Sequence, residues 1–276
     1  LAASWRVIEL SERILKLARA TDEDPGVRAA AVRALGSLGK EETVGHLRQL
    51  AGMESDLRPA VVAALLELDP GEAARTAAAL LKTITEPKLL GELLGAFAAR
   101  EGVSSLLGAE LEKVGIDPGQ GERLRQAWIA TGFVNAELGG AIDKLAGVVS
   151  PRMEFSDELI AELVVAAKGG DRSRGEALFG SARAGCAACH KVGEQGGVIG
   201  PDLTALGSGM LPDRIITEVL WPARQVKEGY SLTRVTKKDG QVLQGYLQAS
   251  RDKERVFLRD FALAGMHEIP ADQIEK

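Results

Sequence analysis

Aromatic side chains make up only 4% of this 276-residue sequence, too few to fill the broad inner faces of a large β-sandwich. Alanine and leucine are plentiful instead, and both are strong helix formers. Apolar residues reach 45% and charged residues 26%, the ordinary balance of a globular chain. No apolar run approaches the roughly 18 residues needed to span a bilayer, so no membrane span is expected. Positive charge is not in excess: the formal net charge is −5, which gives nucleic acid no electrostatic footing. Paired carboxylates at a signature spacing, a nucleophile elbow and a phosphate loop are missing too. These absences point away from a complete enzyme. The chain begins with Leu1 rather than Met, as a mature product or the C-terminal part of a longer protein would.

What is present first is repetition. Val27, Ala31, Ala34, Leu35 and Leu38 recur about thirty residues on as Leu57, Val61, Ala64, Leu65 and Leu68, at the same offsets. Each set is one face of a helix, and Arg28 recurs as Arg58. Looser copies carry Leu90, Leu93, Leu94 and Phe97, then Leu124, Ala127 and Trp128. Between them runs a further apolar helix with Val44, Leu47 and Leu50. Asp24-Pro25, Asp69-Pro70, Glu86-Pro87 and Asp117-Pro118 punctuate the pattern, because proline is excluded from helix interiors. A helical pair of this length cannot bury its own apolar face, so copies must stack into a solenoid; the competing reading is a compact helical bundle. The phrase "DEDPGVRAAAVRALGSLG" resembles a HEAT repeat, most closely over residues 20–70 and more loosely to about 135. His46 falls within it as a surface or packing residue. Residues 1–155 are assigned to this region.

Residues 133–155 are glycine-rich and less periodic, which predicts a connecting segment. Ser156 is placed to cap a helix over 157–168, and Ser173 with Glu176 reads as a capping box for another. Leu211 to Val226 looks helical, with Leu211, Ile215, Ile216, Val219 and Leu220 on one face and Pro222 bending or ending it. From Tyr230 the period changes to two. Two alternating strands joined at Lys238-Asp239-Gly240, followed by "RVFLRD" and "HEIPADQIE", predict a β-module over 230–276 of four or five strands. In outline it resembles an SH3-like barrel. The expected fold is mainly α: a HEAT-like α-solenoid, a small helical domain over 156–229, then the short β-module.

Cysteine is the scarcest informative residue. The chain has two, and both lie in Cys186-Ala-Ala-Cys189-His190. Two thiolates at this spacing can hold zinc, but His190 brings the set to three and a closed tetrahedral site needs another ligand. A redox dithiol is the second use, though it normally opens a helix after a strand in a βαβ setting that is not seen here. The third is covalent haem attachment, with two thioether bonds and the adjacent histidine on the iron.

The surroundings favour the third use. "RGEALF" precedes the motif and "GPDLTALG" follows it, and the whole resembles class I cytochrome c. The resemblance implies one covalently bound haem c, with His190 as proximal iron ligand and the Pro201 carbonyl accepting a hydrogen bond from its imidazole. It implies haem contacts from Phe179, Leu203 and Tyr230. Glycines 193, 196, 197 and 200 suit a loop passing close to the haem edge. From Gly170 to the C-terminus the chain looks like the haem-binding domain found in Planctomycetes and Verrucomicrobia, which often follows HEAT repeats and continues into a β-tail.

The chain departs from that family at the sixth iron position. The stretch "WPARQVKEGYSLTRV" contains no methionine where ordinary class I cytochromes carry one. Met210 is a candidate distal ligand, but the preferred reading is a core residue opening the next helix. Met266 and His267 read as strand-end surface residues, and Met153 as core. Tyr230 is placed either on the iron or against the haem, and Lys227 would have to lose its proton to bind. A water-bound site is the remaining choice. The ligand matters because axial ligation shifts haem potentials over about 0.8 V.

The expected function is electron transfer, from a partner or fused dehydrogenase acting on a sugar or alcohol, with the helical repeats as a docking scaffold. The alternatives are a haem sensor or peroxidase-like domain with an open distal site, and a scaffold in which haem is structural. Attachment of haem c takes place outside the cytoplasm, so the expected location is periplasmic or otherwise exported.

Overall fold

The computed structural model describes residues 10–38, 43–53, 56–148, 153–181, 184–222, 224–260 and 265–275. The chain divides into two compact units, Leu1–Trp128 with Val134–Ala146, and Ile129–Phe133 with Gly147–Lys276.

The first unit is helical: α1 (Ser11–Arg19), α2 (Pro25–Leu38), α3 (Thr43–Met53), α4 (Arg58–Leu68), α5 (Pro70–Leu81), α6 (Pro87–Ala98), α7 (Ser104–Lys113), α8 (Pro118–Thr131), whose residues from Ile129 on fall in the second unit, and α9 (Ala136–Leu145). Helices α2, α4 and α6 pack in one row, and α3, α5, α7 and α9 in a second. Stacking of neighbour on neighbour in two rows is how a solenoid buries faces that no single pair could cover. Leu35, Leu65, Leu94, Phe97 and Leu107 are at most 1% exposed along this core. Val27 is not part of it: it is 42% exposed. The buried stripe of α2 runs through Arg28, Ala31, Val32, Leu35 and Leu38, so it is centred one residue away from the face the pattern predicted.

The repeated arginines have one job. Arg28 Nε donates to Ala18 O at 3.3 Å and Arg58 Nε to Ala51 O at 3.2 Å. Each reaches from the second helix of a pair to a carbonyl near the end of the first, where cations and donors are favoured. The acid–proline pairs are helix starts. Asp69 and Asp117 accept from the backbone N–H three residues on, at 2.9 and 3.0 Å, while proline fills the first helical position, whose N–H would be orphaned anyway. In the first turn of α5, Glu72 is buried between Arg48 and Arg75. Burial alone would raise its pKa, but the two guanidinium groups outweigh it and hold the carboxyl below its ordinary 4.5.

The second unit opens with α10 (Asp157–Ala167), whose N-cap Ser156 accepts from Leu159 N at 3.1 Å. In α11 (Arg172–Gly180) the cap is Asp171, accepting from Arg174 N at 3.0 Å. The predicted capping box at Ser173 is therefore displaced: both residues are good caps, and the acidic one starts the helix two residues earlier. There follow α12 (Cys186–Cys189), β1 (Lys191–Val192), β2 (Gln195–Gly196), α13 (Leu206–Gly209) and α14 (Pro212–Leu220). Helix α14 stops well short of Val226. Pro222 drives the residue before it out of the helical region, and Trp221 sits at φ −132°, ψ 60°. Trp221 is held there by its indole N–H, which donates to Met153 O at 2.7 Å, and by edge contact with Phe155, centroids 5.3 Å apart. Met153 itself is 38% exposed rather than core; its backbone makes the contact, so its side chain is not drawn in.

The β-module packs into the same unit. Strands β3 (Leu232–Thr236), β4 (Val242–Leu247), β5 (Arg255–Arg259) and β6 (Met266–Pro270) form an antiparallel meander in chain order. After a 3₁₀ turn over Ala271–Gln273, Ile274 returns to bridge Lys237 beside β3. Lys238 N donates to Gln273 O at 2.9 Å and Glu275 N to Thr236 O at 2.8 Å. The chain after β6 thus returns to the end of β3 and covers part of that edge. Val235, Leu258 and Ile269 are its buried centre.

Candidate functional site

The cysteines sit on a single helical turn. Gly185 enters it in the left-handed region, φ 71°, and His190 leaves it extended, with its N–H on Cys186 O at 2.9 Å. So short a helix leaves most of its carbonyls orphaned. The following loop supplies the donors: Gly197 N bonds Ala187 O and Gly200 N bonds Cys189 O, both at 2.8 Å. Leu203 N bonds Lys191 O at 2.8 Å, and Gly193 N donates to Thr204 Oγ1 at 2.8 Å. The segment is sewn onto the cysteine turn by backbone bonds.

These bonds fix the imidazole. His190 Nδ1 lies 2.9 Å from Pro201 O. A carbonyl can only accept, so Nδ1 carries the proton, and a neutral ring then keeps its lone pair on Nε2. Gly200 makes the fit possible: a Cβ there would stand 2.6 Å from His190 Cε1 and 2.8 Å from Nδ1. Gly196, at φ 106°, would place a Cβ 2.1 Å from His190 O. Gly197 would likewise place a Cβ 2.1 Å from Ala188 O, so glycines 196, 197 and 200 allow close approach to the histidine and its turn, whereas a Cβ at Gly193 meets nothing within 4 Å.

His190 and Cys189 line an open cavity of about 740 Å³, within the size range of cofactor sites. Pro201, Leu203, Met210 and Tyr230 line it as well, whereas Cys186 and Phe179 do not. Lys227 reaches it; Met153, Met266 and His267 do not. Met266 is 51% exposed on β6, and His267 Nε2 lies 3.0 Å from Asp260 Oδ2. The wall is largely apolar, with Ile215 and Val219 of α14 beside Val226. That explains why Val219 is 70% exposed although it lies on the helix's apolar face.

Burial pushes the Cys189 thiol above its ordinary value, and the neighbouring Cys186 adds to the shift. Both cysteines are half-buried and free. Among the described residues, no group of three His, Cys, Asp or Glu side chains is placed to hold a metal ion. Among the described residues, the element before the turn is α11 rather than a strand.

Sequence reasoning missed Tyr246, which lines the cavity, and Arg259 behind it. The signal was in the hairpin. Its register puts Leu232 opposite Tyr246, so Tyr230, two residues before Leu232, lies on the same face.

Residues 8–67 match the family model of HEAT repeats. No curated protein and no solved structure matches the chain. The N-terminal helices are accordingly HEAT repeats over the matched span, continued by helices of the same two-row packing.

Proposed function

We propose that residues 156–229 are a class I cytochrome c-like domain that binds one haem c covalently, and that the protein transfers electrons. Bound haem supplies an iron that takes up and releases one electron. Cys186 and Cys189 would hold the porphyrin by thioether bonds, and His190 would present Nε2 to the iron. The observation that carries this reading is the 2.9 Å contact from His190 Nδ1 to Pro201 O, made on a Cys-x-x-Cys-His turn facing an apolar cavity. It fixes the tautomer and strengthens the imidazole as a donor. A satisfied surface histidine would not need a glycine at 200 to admit its ring.

Leu203 and Tyr230 belong to the cavity wall, and Phe179 precedes the cysteine turn in sequence. Met210 is the proposed sixth ligand, because among the described residues it is the methionine that lines the cavity. The electron donor would be a sugar or alcohol dehydrogenase, separate or fused, with the HEAT repeats as its docking scaffold. The location would be periplasmic or otherwise exported, where haem c is attached. Visible spectra test the assignment. Electron transfer with Met210 on the iron predicts a low-spin spectrum that carbon monoxide leaves unchanged in the reduced protein. A high-spin spectrum that shifts with carbon monoxide would replace it with the sensor or peroxidase-like reading.

A further inference from the structure

The chain has two tyrosines, and they meet at the cavity. Tyr230, just ahead of β3, and Tyr246 in β4 pack edge to face, with centroids 5.1 Å apart and planes at 66°. Arg259 in β5 stands opposite Tyr246 in the ladder. Its guanidinium lies over both rings, 4.8 Å from the Tyr246 centroid and 5.4 Å from that of Tyr230. Three side chains from three consecutive stretches of the sheet thus share one face, and the contacts favour a single arrangement of the rings.

That face looks into the cavity. Both rings line it alongside His190 and Cys189. Burial raises the Tyr246 phenol above its ordinary value, and nearness to Cys189 adds to the shift, while Arg259 opposes it. The ring is partly buried beside the cysteine. Nothing in the β-module's own core requires this: Val235, Leu258 and Ile269 fill that core without the tyrosines.

We propose that the C-terminal β-module is a wall of the cofactor site, in which Tyr246, braced by Tyr230 and Arg259, closes the cavity beside Cys189 and keeps water from the group bound there. The proposal rests on the haem reading of residues 156–229. It gives the β-module a task. Excluding water disfavours the more highly charged oxidised centre, so the wall raises the reduction potential and slows entry of small ligands. Tyr246 acts as a positioning residue, through burial rather than by reacting.

The test uses the full-length, haem-loaded protein and three variants. Tyr246→Val removes the ring but keeps a strand-forming residue; Tyr246→Phe keeps the ring; Arg259→Gln removes the brace. The readouts are the midpoint potential and, in a Met210→Ala background that leaves the sixth iron position open, the rate of carbon monoxide binding to the reduced protein, with far-ultraviolet circular dichroism as the check on folding. Tyr246→Val is expected to lower the potential and to speed carbon monoxide binding several-fold. Tyr246→Phe is expected to stay near wild type, and Arg259→Gln to move as the valine variant does, by less. A folded, loaded Tyr246→Val protein with wild-type potential and, in the Met210→Ala background, unchanged carbon monoxide kinetics overturns the wall. If that variant does not fold, Arg259→Gln decides by the same two readouts. A wild-type chain that takes no haem overturns the underlying haem reading instead, so the two failures are told apart.

Discussion

Serine at both Cys186 and Cys189 is expected to abolish covalent haem while leaving the chain folded. The two positions lie on one turn whose backbone bonds come from main-chain groups, the His190 N–H on Cys186 O and the Gly200 N–H on Cys189 O. Serine preserves those bonds and nearly preserves side-chain volume. Both thiols are only half-buried, so the stability cost should be small, about 1 kcal/mol or less. The effect on attachment should be complete, because no other cysteine exists. Haem staining after denaturing electrophoresis checks it: wild type stains, the double variant does not, and each single variant keeps one bond. A double variant that still stains would refute the assignment of the thiols.

Gly200→Val should disable the site by geometry alone. The new Cβ would stand 2.6, 2.8 and 3.1 Å from Cε1, Nδ1 and Nε2 of His190. The ring cannot yield without losing Pro201, whose carbonyl it reaches at 2.9 Å. Loss of such an outer contact typically costs about 10–100-fold in metal affinity, and here the ligand itself is displaced too. We expect the variant to lose its low-spin visible spectrum while the thioether bonds persist. Gly207→Ala is the control, since a Cβ there meets nothing within 4 Å. Equal spectra for Gly200→Val and wild type would mean that the imidazole does not sit on the iron.

Much of the fold was legible in the sequence because it is local. The offsets that repeat from Ala31 to Val61 and from Leu35 to Leu65 mark faces that are buried in the structure, and Ser156 caps α10 as its spacing implies. Errors arose where two local signals compete. Asp171 outranks Ser173 as a cap, Pro222 ends α14 although its apolar period runs on to Val226, and Arg28 rather than Val27 enters the core because its guanidinium reaches a helix end. The site was legible only in part. The cysteine turn is contiguous, but the His190–Pro201 contact crosses 11 residues and no propensity rule reaches it; only the family resemblance named Pro201. Tyr246 and Arg259 depend on strand register, which fixes their shared face only once the pairing is known. Period alone could not put that face toward Cys189.

The most direct test of the account is the intact mass of the wild-type chain, made with a working haem-attachment system, exported and then denatured. The account predicts the mass of the polypeptide plus one haem, retained through acid extraction, with the characteristic reduced spectrum of haem c. A chain of bare polypeptide mass under those conditions, with both thiols free, would contradict it.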